Sequence, residues 1–182
     1  MDLIDIDEYK IYAKISTTDQ DEKIELISSS VSELVKAYCA RAFLDYYDTD
    51  KVEYYNGGAT SYFTEEMPIM SITSIEESID YGQNYTALVS FEDYVLDLMN
   101  DKIIIFAGDL VNAPNYYKIT YKAGFPRLPS DLKLACFDLV DYYMKKESTP
   151  RKSGSDVSVQ YITNSDLPPH IKRVLDLYRV IR

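Results

Sequence analysis

Side chains able to carry out acid–base or nucleophilic chemistry are scarce in this sequence. Histidine occurs once, at His170, where it follows two prolines close to the C-terminus, a position typical of an exposed helix start. Ser-His-Asp or Cys-His catalysis would have to use this one residue. Cys39 and Cys136 lie among apolar residues of predicted helices, which favours reduced core thiols over a disulfide. With one histidine they do not supply the four ligands of a usual zinc site.

Acidic side chains are the remaining candidates, because Mg²⁺ and Ca²⁺ prefer oxygen ligands. None of the acidic pairs has the spacing of a known catalytic site or of a calcium loop, and most are expected to be solvated. Gly57-Gly58 lies in a predicted hairpin, not between a strand and a helix as in a phosphate-binding loop. The sequence therefore predicts a protein that is not an enzyme and has no cofactor or metal. The acidic pairs are Glu65-Glu66, Glu76-Glu77, Glu92-Asp93, and Asp19 with Asp21.

Charge is distributed unevenly along the 182 residues, whose formal net charge is -11. Residues 1–100 carry 21 acidic and 6 basic side chains, whereas residues 101–182 carry 9 and 13. The acidic first half disfavours binding to nucleic acid, and the basic cluster at 145–152 is predicted to be a solvated loop. No signal-peptide pattern and no apolar run of membrane-spanning length occurs, so we expect no membrane association. The 18 tyrosines suit both strands and protein interfaces.

The spacing of apolar residues predicts the elements that position these side chains. Spacings of three and four indicate helices, alternation indicates strands, and turn residues indicate hairpins at 50–64 and 94–106. The order helix, antiparallel strands, helix, linker, helix predicts an α+β fold, in which a helix pair packs with a small antiparallel sheet or sandwich. The predicted helices are 21–43, 131–146 and 170–182, with 5–15 a helix or an extended arm; the predicted strands are 52–55, 61–63, 67–75, 94–98, 102–106 and 116–121, with 157–161 a short strand or arm.

The junction between the last predicted strand and the second long helix is the most informative stretch. Gly124 supplies a permissive backbone position, and Pro126 and Pro129 prevent either element from continuing. Ser130 or Asp131 then offers a side-chain oxygen to cap the new helix. The sequence therefore predicts that a stiff turn connects one strand directly to one helix.

Four stretches, taken in serial order, resemble the head–tail connector proteins of tailed bacteriophages, also called adaptor or head-completion proteins. The resemblance extends over most of the chain, although residues 45–115 are longer and richer in tyrosine than in short family members. On this basis the chain is predicted to divide into a connector core domain at 1–147 and a C-terminal linker, arm and docking helix at 148–182. The four stretches are the acidic turn and helix at 18–43, the Met67-Pro68-Ile69-Met70-Ser71 strand with its continuation to Ile75, the segment 119–135 around Tyr121-Lys122-Ala123-Gly124-Phe125, and the C-terminal segments 153–161, 167–171 and 175–179.

The resemblance implies a structural protein that forms a ring, usually of twelve copies, beneath the portal at the head–tail junction of the virion. Such a ring is assembled in the host cytoplasm, extends the DNA channel and offers a platform to a stopper or tail-completion protein. DNA would pass through the lumen without sequence-specific binding, and an acidic wall would suit this passage because like charges repel. The C-terminal arm and helix of such proteins often dock on the portal protein. Carried over to this chain, the docking residues are Val157, Val159, Tyr161, Leu167, Ile171, Leu175 and Tyr178.

Three alternatives stay open at the level of sequence. The amphipathic stripe of the last helix would equally be explained by packing on the core of its own subunit. The tyrosines would also suit a small-ligand or carbohydrate-binding module, which predicts saturable binding by a monomer. An enzyme using the acidic pairs would depend on a divalent metal.

Overall fold

The computed structural model describes residues 1–106, 112–148 and 167–180. Within these ranges the chain forms four helices and two small antiparallel sheets, which confirms the predicted α+β class. The helices are α1 (Ile6–Ala13), α2 (Asp21–Cys39), α3 (Ser130–Ser148) and α4 (Pro169–Tyr178); the strands are β1 (Lys51–Tyr55), β2 (Ser61–Tyr62), β3 (Ile69–Glu77), β4 (Thr86–Ala87), β5 (Tyr94–Asp97), β6 (Lys102–Ile105) and β7 (Tyr117–Ala123).

The chain divides into two compact units that differ in secondary structure. The helical unit comprises Met1–Arg41 and Leu128–Arg182 and contains α1 to α4, whereas the strand unit comprises Ala42–Arg127 and contains β1 to β7. The helical unit thus combines the first and last parts of the sequence. The predicted division into a core at 1–147 and a docking segment at 148–182 stays a prediction.

The long helices of the helical unit form where the sequence spaces apolar residues by three and four. In α2 the buried residues include Ile24, Ile27 and Val31, and they face α3 across the core of the unit. The helix ends at Cys39, four residues before the predicted end, because Ala40 adopts the left-handed conformation with a φ of 52°.

Residues 5–15 form a helix rather than an extended arm. Asp5 caps α1, since its side chain accepts a hydrogen bond from the N–H of Glu8 at 3.0 Å. Tyr9 is buried beneath this helix, and its hydroxyl donates a hydrogen bond of 2.7 Å to Asp141 of α3. The buried tyrosine and its hydrogen bond therefore attach α1 to the helix pair.

The strand unit is built around β7, which lies between β1 and β3 in a sheet of order β1-β7-β3-β4. Alternate residues of β7 are buried, as expected for a strand with one face toward the core. The second sheet has the order β2-β6-β5, and buried side chains from both sheets join one apolar core. The buried residues of this core are Tyr62, Ile69, Ile75, Tyr94, Ile103, Ile105, Ala113, Tyr116, Tyr117, Ile119, Tyr121 and Ala123.

One of the two predicted hairpins is confirmed and the other is wrong. β5 pairs with β6 as predicted, with Tyr94 opposite Ile105 and Asp97 opposite Lys102. β1 and β2 both form, but β1 pairs with β7 whereas β2 pairs with β6 of the other sheet. A local turn signal such as this glycine-rich connection does not specify which strands will pair.

The strand–helix junction has the backbone that its residues predict. Gly124 has a φ of 102°, in the left-handed region that side chains disfavour. A Cβ atom built at this position would lie 2.2 Å from the carbonyl oxygen of Phe43. The same carbonyl accepts a hydrogen bond of 2.8 Å from the N–H of Phe125, so the two backbone segments approach too closely for a side chain. After the turn, α3 begins at Ser130.

Gly124→Ala is expected to lower the free energy of unfolding by at least about 1–2 kcal/mol, because the left-handed backbone and the Phe43 carbonyl both oppose a methyl group. Chemical denaturation of the full chain would measure the loss. Gly57→Ala is the control, since Gly57 lies outside the left-handed region. Equal stability of the Gly124→Ala variant and the parent would contradict this account of the turn.

Candidate functional sites: a buried carboxylate network and the C-terminal helix

The strand unit contains a buried carboxylate at the centre of a hydrogen-bond network. Glu53 of β1 is 8% exposed, and its side chain accepts hydrogen bonds from the hydroxyls of Tyr121, at 2.5 Å, and Tyr55. The N–H of Glu65 donates to both of its oxygens, at 3.2 and 3.3 Å. Lys51 places its Nζ 3.1 Å from the same carboxylate. Every oxygen of Glu53 therefore has a donor inside the protein.

A second buried carboxylate belongs to the same network. Glu66 is 6% exposed, and the N–H of Ala42 donates to both of its oxygens at 2.9 and 3.0 Å. Burial raises the pKa of Glu66, while the Ala42 N–H and Lys51, whose Nζ lies 3.6 Å away, act in the opposite direction. The backbone N–H of Glu66 in turn donates to the hydroxyl of Tyr121 at 3.1 Å. One lysine thus supplies the positive charge that balances two buried carboxylates.

This network is a structural device rather than a catalytic one. Its donors and acceptors bind each other, and burial beside Glu53 raises the pKa values of Tyr55 and Tyr121 far above their ordinary value of 10.0. These tyrosines therefore stay protonated as donors to Glu53. No group of three or more His, Cys, Asp or Glu side chains in the described ranges is arranged to hold a metal ion.

This network is not among the features predicted from the sequence. Most acidic pairs are predicted to be solvated, and Glu66 is an exception because it is buried. Glu53 is not among the residues that the sequence singled out. The structure exposes Val52 and Tyr54 at 45% and 56% and turns Glu53 inward. The available signal was the alternation of Lys51, Glu53 and Tyr55, which places a cation, an anion and a hydroxyl on one strand face.

The two cysteines and the histidine lie where the sequence analysis expected them. Cys39 and Cys136 are buried free thiols, and burial raises the pKa of each to about 12, so neither is a reactive thiolate. His170 is exposed in the first turn of α4. Within the described ranges, no helix is both long and apolar enough to cross a membrane.

Four of the predicted docking residues lie in the C-terminal helix α4 or just before it. Ile171 and Leu175 are 2% and 0% exposed and pack in the helical unit against α2 and α3. Leu167, just before the helix, is also buried. The half-buried Tyr178 donates a hydrogen bond of 2.7 Å to Asp131 of α3, and burial followed by this bond raises its pKa to about 12. These four side chains therefore hold the helix on its own subunit.

Backbone and side-chain contacts to α2 fix the far end of α4. The N–H of Val180 donates to the carbonyl of Cys39 at 3.0 Å, and Tyr38 donates to Asp176. The Arg179 guanidinium lies 5.3 Å from the centre of the Tyr38 ring. Val157, Val159 and Tyr161, the other predicted docking residues, lie outside the described residues. The portal-docking role of all seven residues stays a prediction.

The apolar stripe of α4 packs on other helices of the helical unit, which matches the packing alternative left open above. The outward face of the helix carries a different set of side chains, His170, Arg173 and Leu177, at the spacing of one helix face. Leu177 is 76% exposed. This face is not among the features predicted from the sequence, because those rest on the apolar stripe alone.

Comparison with known proteins identifies the class to which this fold belongs. The model of the head completion protein family matches residues 2–181, so the chain belongs to that family. The family is one of structural proteins of phage virions, which confirms the resemblance inferred from the sequence.

Individual relatives match the chain over nearly its whole length. The head completion protein of Escherichia phage T5 is 24% identical over 185 aligned positions, which cover 98% of this chain and 99% of the relative. A chain from the neck of an empty gene transfer agent particle, computed with C6 symmetry, has a TM-score of 0.62 at 16% identity and covers 99% of this chain and 91% of its own. A chain from the neck of a native gene transfer agent particle, computed with C12 symmetry, has a TM-score of 0.53 at 16% identity over 90% of this chain and 89% of its own. The structural likenesses establish a shared fold.

Lys51→Met is expected to lower the free energy of unfolding by about 3–5 kcal/mol, because it leaves two buried carboxylates without their cation. Lys118→Met is the matched control: Lys118 is paired with Glu76 in a more exposed site, and its loss should lower the free energy of unfolding much less. Denaturant titration would measure both losses. Similar losses of unfolding free energy in the two variants would contradict the claim that Lys51 is needed to balance the buried carboxylates.

The deficit of the Lys51→Met variant is also expected to depend on pH. Because the pKa of Glu66 is raised above its ordinary value of 4.5 in the folded protein, protonation favours the fold below pH 4.5, and that benefit is lost as the pH rises through the folded pKa. Removing Lys51 raises this pKa further. The difference from the parent should therefore be larger at about pH 7 than at about pH 5. A pH-independent difference in unfolding free energy would contradict this assignment.

Leu175→Ala is expected to cost about 2–5 kcal/mol of unfolding free energy, since Leu175 is fully buried. Leu177→Ala, two residues away and exposed, should change the unfolding free energy by less than about 0.5 kcal/mol. Circular dichroism during thermal unfolding would compare the two. If the variants have the same midpoint, α4 is not anchored as described.

Proposed function

We propose that the protein forms a ring at the head–tail junction of a phage virion, between the portal protein and a stopper or tail-completion protein. The observation that carries this proposal is the match of the head completion family over nearly the whole chain. The fold is also that of chains in particle necks computed with C6 and C12 symmetry, which supports a ring and a copy number of twelve. Assembly would take place in the host cytoplasm.

The ring would extend the DNA channel. The charge of residues 1–100, with 21 acidic and 6 basic side chains, suits a wall along which DNA slides without being held. The buried carboxylate network supports a scaffold role, because its polar groups form hydrogen bonds with each other and leave no open reactive site around Glu53. DNA would pass through without sequence-specific binding.

The predicted docking residues would divide into two roles. Leu167, Ile171, Leu175 and Tyr178 would anchor the C-terminal helix on its own subunit, since their side chains are buried or hydrogen-bonded there. Val157, Val159 and Tyr161 would contact the portal protein.

The role in the virion can be tested by electron microscopy of particles assembled without this protein. We expect tail-less heads, many of them without DNA, to accumulate beside free tails. Particles with normal tails would remove the proposal and leave a ligand-binding module or an enzyme to be tested.

Portal binding can be tested with the purified chain and purified portal protein. A variant with Val157, Val159 and Tyr161 all replaced by Asp should keep the circular dichroism spectrum and melting temperature of the parent but lose portal binding. The control replaces Ile11 and Leu26 by Asp, because both side chains are highly exposed, at 79% and 69%, and belong to the helical unit. Retained binding by the triple variant would overturn the assignment of the arm.

A further inference from the structure

The strand unit exposes three apolar side chains at one end of its second sheet. Phe91 lies just before β5 and Phe106 just after β6, at the end opposite the β5–β6 turn. Phe91 is 84% exposed, Phe106 60% and Val89 52%. We call these three residues the phenylalanine patch. A group of large exposed apolar side chains in a folded protein is typical of a surface that another protein covers.

Hydrogen bonds join the backbone segments that carry the phenylalanine patch. The N–H of Phe91 donates to the carbonyl of Tyr94 at 2.8 Å, and the N–H of Phe106 donates to the carbonyl of Asp93 at 2.6 Å. The side chain of Asp93 accepts from the N–H of Val89 at 2.7 Å. Phe91 also has a φ of 66°, which is unfavourable for a bulky side chain. The ring of Phe91 is left exposed by this conformation, which pre-organises it for a partner.

The charges beside the patch indicate the kind of surface that would cover it. Glu92 is exposed next to Phe91 and forms no ion pair with the described residues. The complementary surface would be apolar with a basic side chain beside it. The outward face of α4 has this composition, because Leu177 is 76% exposed and Arg173, one turn earlier, is exposed and makes no ion pair with the described residues.

We propose that the phenylalanine patch of one copy packs on Leu177 of the next copy, with Glu92 beside Arg173 of that neighbour. The two surfaces are different parts of the chain, so the contact is head-to-tail and can repeat around a closed ring. Apolar side chains would form the centre of the contact and the charge pair its rim, the usual arrangement at protein interfaces. This inference rests on the ring of the proposed function and names the surfaces that would close it.

Cysteine cross-linking in assembled particles tests the contact directly. Phe91→Cys combined with Leu177→Cys should give a ladder of linked subunits under mild oxidation, whereas either single variant gives at most dimers. The native Cys39 and Cys136 are buried and do not compete. Ile79→Cys combined with Leu177→Cys is the matched control, because Ile79 is 87% exposed but lies outside the patch, and should give no ladder. Absence of a ladder from the Phe91–Leu177 pair, or an equal ladder from the control, overturns the proposal.

A charge exchange tests the rim of the contact. Glu92→Arg and Arg173→Glu should each weaken ring assembly on portal-bearing heads by about tenfold, and the chain with both substitutions should recover it. A double variant as defective as the single variants overturns the pairing.

The outcomes separate this inference from the proposed function. Normal tails in particles that lack the protein would refute the junction role itself. Tail-less heads in its absence, together with full activity of a Phe91→Asp variant in restoring tails, would keep the junction role and refute only the contact through the phenylalanine patch.

Discussion

The strand unit depends on satisfying one buried hydroxyl. Tyr121 is fully buried in the central strand, where water cannot supply its hydrogen bonds. It donates to Glu53 and accepts from the backbone of Glu66, which requires both of these residues to be buried as well. Two buried carboxylates then require a cation, and Lys51 supplies it. The hydroxyl thus fixes the edge strand β1 against β7 and holds the backbone around residue 66 in place.

The helical unit obeys the same rule of burial with apolar side chains. Ile171 and Leu175 fill the space between α4 and the long helices, and hydrogen bonds from Tyr178 and Val180 fix the two sides of the helix end. Because one face of α4 is buried in its own subunit, only the opposite face of the helix is accessible to a partner. Amphipathicity alone does not distinguish an internal contact from an external one, because both bury the same apolar area.

The surface differs in character from the interior. In the interior, the polar groups around Glu53 are paired with each other, and burial raises the pKa of the Cys39 and Cys136 thiols. Outside, large apolar side chains such as Phe91 and Leu177 stand beside single charges. Groups of large exposed apolar side chains are typical of surfaces that other proteins cover. The distribution in this chain agrees with membership of a family of structural virion proteins.

The sequence by itself determined the features that depend on neighbouring residues. The spacing of Ile24, Ile27 and Val31 predicted α2, the alternation of Tyr94 to Asp97 and its return predicted the β5–β6 hairpin, and Gly124 predicted the stiff turn before α3. These signals act within a few residues, so no knowledge of the rest of the chain is needed. The order of motifs likewise sufficed to indicate the family.

Only the tertiary structure decided which distant residues meet. It separated β1 from β2 into different sheets, turned Glu53 inward and Tyr54 outward, and placed Ile171 and Leu175 against their own subunit. Strand pairing and the face that each side chain takes depend on the energy of the complete core, which includes the burial of Tyr121 and its hydrogen bond to Glu53. A pattern of neighbouring residues does not reveal the energy of the complete core, because other residues that contribute to that energy lie tens of residues away along the chain.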